Sequence, residues 1–146
     1  MRFRTATLFA ALLAVGILQG TAVASNILFD DGTITDPATH LVWLKDANCF
    51  GGEATFNTAW TKAKSLANGS CGLKDGSVAG AWRLPTSNEL QARAANLTKF
   101  KNVQTNGNYW STTYDDKCDA LVVSMKNGQA YNCRNEGYIW PVRAIK

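Results

Sequence analysis

The residues with the most chemistry to offer in this 146-residue chain are its four cysteines, Cys49, Cys71, Cys118 and Cys133. One could serve as a thiolate nucleophile, or several as zinc ligands. Zinc sites space their ligands as C-x2–4-C or H-x3–5-H, and neither spacing occurs around these cysteines or around His40, the single histidine. Four cysteines in a small exported chain read instead as two disulfides. Three pairings are open to the sequence. Cys49 with Cys71 and Cys118 with Cys133 is the expected one, because each pair then brackets one local supersecondary unit. Each closed loop stabilises the fold by ~3 kcal/mol on the chain-entropy model.

Other reactive constellations are thin. Asp115 and Asp116 are adjacent carboxylates, whereas glycoside hydrolysis needs two carboxylates that face each other across the scissile bond. A solvated turn, where Asp is favoured, explains them more simply. His40 has no visible partner that would make it a base. The chain has no nucleophile elbow, no H-E-x-x-H, no phosphate-binding glycine loop and no C-x-x-C. We therefore expect no catalytic, cofactor-binding or metal-binding residues and no enzyme activity. Bases and aromatic residues remain for binding. Lys99, Lys101, Lys117, Lys126, Arg134 and Lys146 belong to the loop-rich C-terminal half and would together suit sulfates or phosphates. Trp43, Trp60 and Trp82 fall on apolar faces and read as core. Tyr109, Tyr114, Tyr138 and Trp140 are less committed to a core, and the candidate ligand-binding set is Lys99, Lys101, Tyr114, Lys117, Lys126, Arg134, Tyr138 and Trp140.

The elements that must position these residues follow a leader. Residues 1–24 carry Arg2 and Arg4, an apolar run from Leu8 to Leu18 and a closing Ala22-Val23-Ala24, the three parts of a secretory signal peptide. The run is shorter than the ~20 residues of a membrane span, and no Cys follows Ala24 to take a lipid. A secreted or periplasmic product without a membrane span is expected, with residues 25–146 as one domain. Loss of the leader takes the net charge from +4 to about +2, which argues weakly for any polyanion and gives no reason to expect nucleic acid.

Within that domain, Ile27–Phe29 and Gly32–Asp36 read as an entry strand and Leu41–Leu44 as its return, around the turn signal Asp36-Pro37. A helix is expected over about Asn57–Asn68, with Ala59, Trp60, Ala63, Leu66 and Ala67 on one apolar stripe and Asn68-Gly69 as its stop. Thr86 and Glu89 have capping-box spacing for a second helix, Ser87 to about Asn96. Pro85 keeps the residues before it extended. Thr98–Asn108 reads as a long exposed loop. Asn127-Gly128, between Leu121–Lys126 and Gln129–Asn132, is a strong hairpin signal, and Tyr138–Ile145 reads as a last strand pairing near the first. Together these make an α+β domain.

Four segments in order, Asp36–Asp46, Trp82–Leu90, Tyr109–Thr113 and Pro141–Arg143, are similar to the bacterial family DUF1566, the Legionella collagen-like protein C-terminal domain. The resemblance spans nearly the whole mature chain. It implies a C-type-lectin-like fold: two short helices, a small antiparallel sheet and long loops, here disulfide-stapled. Its better-known member is an adhesin whose domain binds sulfated glycosaminoglycans. Against the family pattern, His40 stands where Gly is usual, implying a left-handed turn residue that His tolerates. Trp140 stands where a polar or basic residue is more usual, allowing an exposed ring. Arg83 and Arg143, in family motifs, read as fork donors to carboxylates or carbonyls, and Trp110 reads as packed.

The lectin resemblance raises calcium, with Asp115, Asp116 and Asp119 plus Asn106 and Asn108 as the available oxygens. The Glu-Pro-Asn or Gln-Pro-Asp and Trp-Asn-Asp motifs of sugar-binding C-type lectins are absent. The expected function is a non-catalytic binding module for glycans, sulfated or otherwise acidic, at a cell surface. The alternative is an envelope or periplasmic assembly protein binding another protein, which a large exposed apolar patch around Tyr138 and Trp140 would favour, as a basic, polar groove would favour an acidic glycan. A weaker one is an enzyme related to the formylglycine-generating enzymes, whose Arg-Leu-Pro-Thr helix start is similar.

Overall fold

The computed structural model describes residues 29–146, except the side chain of Asp119. The expected leader, residues 1–24, and the Ile27-Leu28 start of the expected entry strand lie outside this range. The element order is β1 (Thr33–Asp36), β2 (Leu41–Leu44), α1 (Phe56–Ser65), α2 (Ser87–Ala94), β3 (Asn108–Asp115), β4 (Cys118–Ser124), β5 (Ala130–Tyr131) and β6 (Val142–Ala144). Two three-stranded antiparallel sheets result, β1-β2-β6 and β3-β4-β5, so the domain is α+β. None of its helices, among the described residues, is long and apolar enough to cross a membrane.

His40 takes φ 55° at the turn into β2, the left-handed conformation expected of it. Every side chain of β2 is buried, because the strand is central, with β1 on one edge and β6 on the other. The last strand therefore pairs with β2 and not with the first strand.

Helix α1 stops at Ser65, three residues before the expected end. Leu66 turns extended (ψ 133°) and enters one hydrophobic cluster, while Ala59 and Ala63 stay in another. Asn68-Gly69 forms a separate turn, with Gly69 at φ 91° and its N–H donating to the Leu73 carbonyl. At α2 the capping box is complete: Thr86 Oγ1 accepts from Glu89 N–H, and Thr86 N–H donates to the Glu89 carboxylate at 2.7 Å. The helix ends at Ala94, two residues short of the expected Asn96.

The β4–β5 hairpin forms where Asn127-Gly128 marked it, with Val122 opposite Tyr131 and Val123 opposite Ala130. It is not the tight type I′ turn, which needs positive φ at both central residues. Only Gly128 has it (φ 68°). Asn127 Oδ1 instead accepts from Gln129 N–H, and the loop closes through Gly128 N–H to the Ser124 carbonyl.

Two clusters make the core. The first joins β2 and β6 to Leu90 of α2 and to Tyr109 and Val123 on one face of the second sheet. The second places Ala59 and Ala63 of α1 against Trp110, Ala120 and Val122 on the opposite face. Trp43, Trp82, Trp110 and Trp140 are each no more than 2% exposed. Trp140 is thus a correction: its ring packs edge-on to Trp43 and Phe100, and its indole N–H donates to the Leu44 carbonyl at 2.8 Å. An indole so enclosed cannot touch a ligand, so Trp140 contributes to no exposed apolar patch of the kind that would favour a protein partner. Trp60 is the converse correction, 42% exposed on α1, with Phe56 and the Lys64 ammonium against its ring. The stretch 98–108 is also less exposed than expected, since Phe100 and Val103 pack on the first cluster.

Both disulfides have the expected pairing, Cys49 with Cys71 and Cys118 with Cys133. Two arginines brace the frame. Arg83 donates to Glu89 from both terminal guanidinium nitrogens at 2.9 Å, and Arg143 donates to the buried Asp75 carboxylate while stacking over Trp82.

Candidate functional site: a lysine-lined groove

Three segments distant in sequence converge beside the first disulfide. Lys45 and Asp46 follow β2. Cys71, Gly72 and Lys74 follow the crossing of the disulfide, and Lys101 comes from the loop after α2. With Asp30 and Gly32 they line a groove of about 390 Å³. Backbone bonds fix the arrangement: Lys101 N–H donates to the Lys45 carbonyl and Ala47 N–H to the Lys101 carbonyl, both at 2.9 Å, and Lys74 N–H donates to the Asp31 carbonyl. Gly32 is required at the floor. It takes φ +81°, and a Cβ there would stand 2.6 Å from the Gly72 carbonyl oxygen.

Three ammonium groups meet two carboxylates in this groove. Lys45 Nζ lies 2.7 Å from Asp30 and Lys101 Nζ 3.9 Å from it. The hydrogen bond from Lys45, with that from Gly32 N–H, holds the Asp30 carboxyl below the usual carboxylate range. Asp46 is occupied by Asn48 N–H and by the Asn102 amide. Lys74 is exposed and has no ion-pair partner among the described residues. The surplus is one positive charge at a solvent-facing rim, which suits an anionic group held by charge.

The candidate residues read from sequence do not form one patch. Lys101 is in this groove. Lys99 lines another with Asp36 and Arg93, and Lys126 a third with Gln91 and Ala94. Tyr138 lines a fourth, and Arg134 stacks over Tyr131 beside a fifth. Tyr114, 74% exposed, and Lys117 stand at the β3–β4 tip. Lys45 and Lys74 were not nominated, although Lys45 sits in a family segment. Their convergence is a tertiary fact with no local signal beyond the Cys49–Cys71 pairing.

The calcium candidates are likewise divided. Asp115 accepts from Lys117 N–H at 2.8 Å and from the Asn132 amide at 3.0 Å. Asn108 lies at the opposite end of β3, roughly 20 Å away at strand rise. No cluster of three or more His, Cys, Asp or Glu side chains able to hold a metal occurs among the described residues.

Fold and site together define a disulfide-stapled α+β domain that carries polar grooves on its connecting loops. Within that class the chain belongs to the Lcl C-terminal domain family, whose sequence model matches residues 32–143. No curated protein sequence matches it.

Proposed function

We propose that the protein is an exported, non-catalytic binding module of C-type-lectin-like fold. In this reading the lysine groove takes the sulfate or carboxylate of an acidic glycan at a cell surface. The observation that carries it is the convergence of Lys45, Lys74 and Lys101 from three segments onto one groove, with Lys74 lacking a counter-ion among the described residues. Two short helices, small antiparallel sheets, long loops and two disulfides support the lectin-like assignment. Exposed ammonium groups bind anions by a screened attraction, so affinity must fall with salt.

A glycan array that includes sulfated glycosaminoglycans, run at two salt concentrations with and without EDTA, tests this. Salt-sensitive and EDTA-resistant binding supports the lysine groove, EDTA-sensitive binding points to a bound divalent cation, and binding to no glycan contradicts the reading. The second reading, docking on an envelope protein, is favoured by the exposed Trp60 ring beside Phe56. It predicts that Trp60→Ala abolishes capture of that protein and leaves the glycan array unchanged.

A further inference from the structure

The loop that carries Lys101 runs on into a second groove of different chemistry. About 290 Å³ in volume, it is lined by Glu53, Thr105, Asn106, Asn108 and Tyr138, with Gln104 and Gly107 of the same loop. It contains no lysine or arginine and a single carboxylate. Asn48, Asn68, Asn96, Asn102, Asn127 and Asn132 make side-chain hydrogen bonds within the protein, while Asn57, Asn88 and Asn135 make none among the described residues. Around this groove the side chains of Glu53, Thr105, Asn106 and Asn108 and the Tyr138 hydroxyl have no hydrogen-bond partner among the described residues. Each amide offers two donors and an acceptor oxygen, and each hydroxyl offers one donor and accepts through its oxygen lone pairs. That mixture matches a ligand whose own groups are hydroxyls, and it rejects an anion, which needs donors alone.

The aromatic wall is fixed in place. Tyr138 N–H donates to the Asn108 carbonyl and its carbonyl accepts from Trp110 N–H. Its ring rests on Tyr109, centroids 5.5 Å apart, and against the bare Cα of Gly107, where a Cβ would come within 2.7 Å of the ring. The loop is braced beneath it by Gln104 N–H to the Tyr109 hydroxyl and by Met125 N–H to the Gly107 carbonyl. An aromatic face is electron-rich, and the axial C–H face of a pyranose presents weakly positive hydrogens to it. The volume, at the small end of the ~300–1,000 Å³ of ligand clefts, fits one sugar ring rather than a long segment.

From this geometry we infer that the groove is a second saccharide site, taking an uncharged pyranose against Tyr138 with Asn106, Asn108, Thr105 and Glu53 on its hydroxyls, without a metal ion. It is distinct from the lysine groove and does not depend on that groove binding anything.

The test is amide NMR of the purified protein titrated to millimolar levels with the methyl glycosides of glucose, galactose, mannose and N-acetylglucosamine, and separately with a heparin-derived disaccharide. At least one neutral glycoside should shift the amides of 104–108 and 138, unaffected by EDTA and by Lys74→Glu. Asn106→Ala and Glu53→Ala replace exposed side chains with no partner in the protein, so the fold stands; each should weaken that binding about tenfold. Absence of shifts with all four glycosides overturns the inference, as do shifts retained in both variants or abolished by EDTA. The heparin disaccharide reads the lysine groove separately, so failure at one site is not mistaken for failure at the other.

Discussion

Glu89 shows how much one side chain can do. It closes the α2 capping box and also receives the Arg83 fork. Burial alone would raise its pKa, but the Arg83 hydrogen bonds and Thr86 N–H outweigh that and lower it from 4.5. Asp75 follows the same pattern: burial opposes ionisation, while Ser77 and Arg143 together prevail. A carboxyl with a lowered folded-state pKa stabilises the fold above its unfolded value and loses that contribution as pH falls through the folded value. The protein should therefore lose stability progressively below about pH 4.5, and Glu89→Gln should flatten that acid limb. At neutral pH the same variant should cost about 1–2 kcal/mol in urea unfolding through loss of the charged fork. The two exposed-versus-buried corrections give a paired prediction: Trp140→Ala should cost ~3–5 kcal/mol, whereas Trp60→Ala on the surface should cost well under that. Equal losses in thermal unfolding would contradict the burial assignment. The cap was legible because its partners are three residues apart. The carboxylate partners of Arg83 and Arg143 were not, since only the fold brings Asp75 to Arg143. Trp60 misled because an apolar stripe does not say where the core ends, and Trp140 because the family's usual polar or basic residue at its position says nothing of the packing in this chain.

At the level of elements, the helices and the hairpin were read in the right places, with boundaries displaced by a few residues. Leu66 leaves α1 early because its side chain joins a different cluster from Ala63, a tertiary preference that overrides helix propensity. The Asn-Gly turn opens because Asn127 spends its amide on Gln129 and Tyr131. The disulfide pairing was legible because each pair brackets one local unit. Replacing Cys49 and Cys71 together by Ala should cost about 3 kcal/mol for a loop of sequence separation 22. It should also loosen the Gly72–Lys74 wall of the lysine groove, measurable as faster hydrogen exchange there than around α2. Gly32→Ala attacks the same wall by collision with the Gly72 carbonyl and by its positive φ. It should lower the melting temperature by several degrees, whereas Gly76→Ala, with open space around its Cα, should cost less.

For the whole molecule, the sequence resemblance reached the family and the α+β class, and the structure supplied what no single segment could: which cations meet. Of the eight residues nominated for ligand binding, Lys101 alone enters the lysine groove, because the nominated bases were judged by their place in the chain while the groove gathers the residues after β2, the disulfide loop and the loop after α2. The central claim is that these three lysines hold an acidic glycan by charge. Isothermal titration of a heparin-derived oligosaccharide into the wild type and the Lys74→Glu, Lys101→Glu double variant, at low and high salt, tests it most directly. The account predicts wild-type binding that weakens steeply with salt and a loss of at least tenfold in the double variant at low salt. Binding that the double variant retains in full, or that salt leaves untouched, would contradict it.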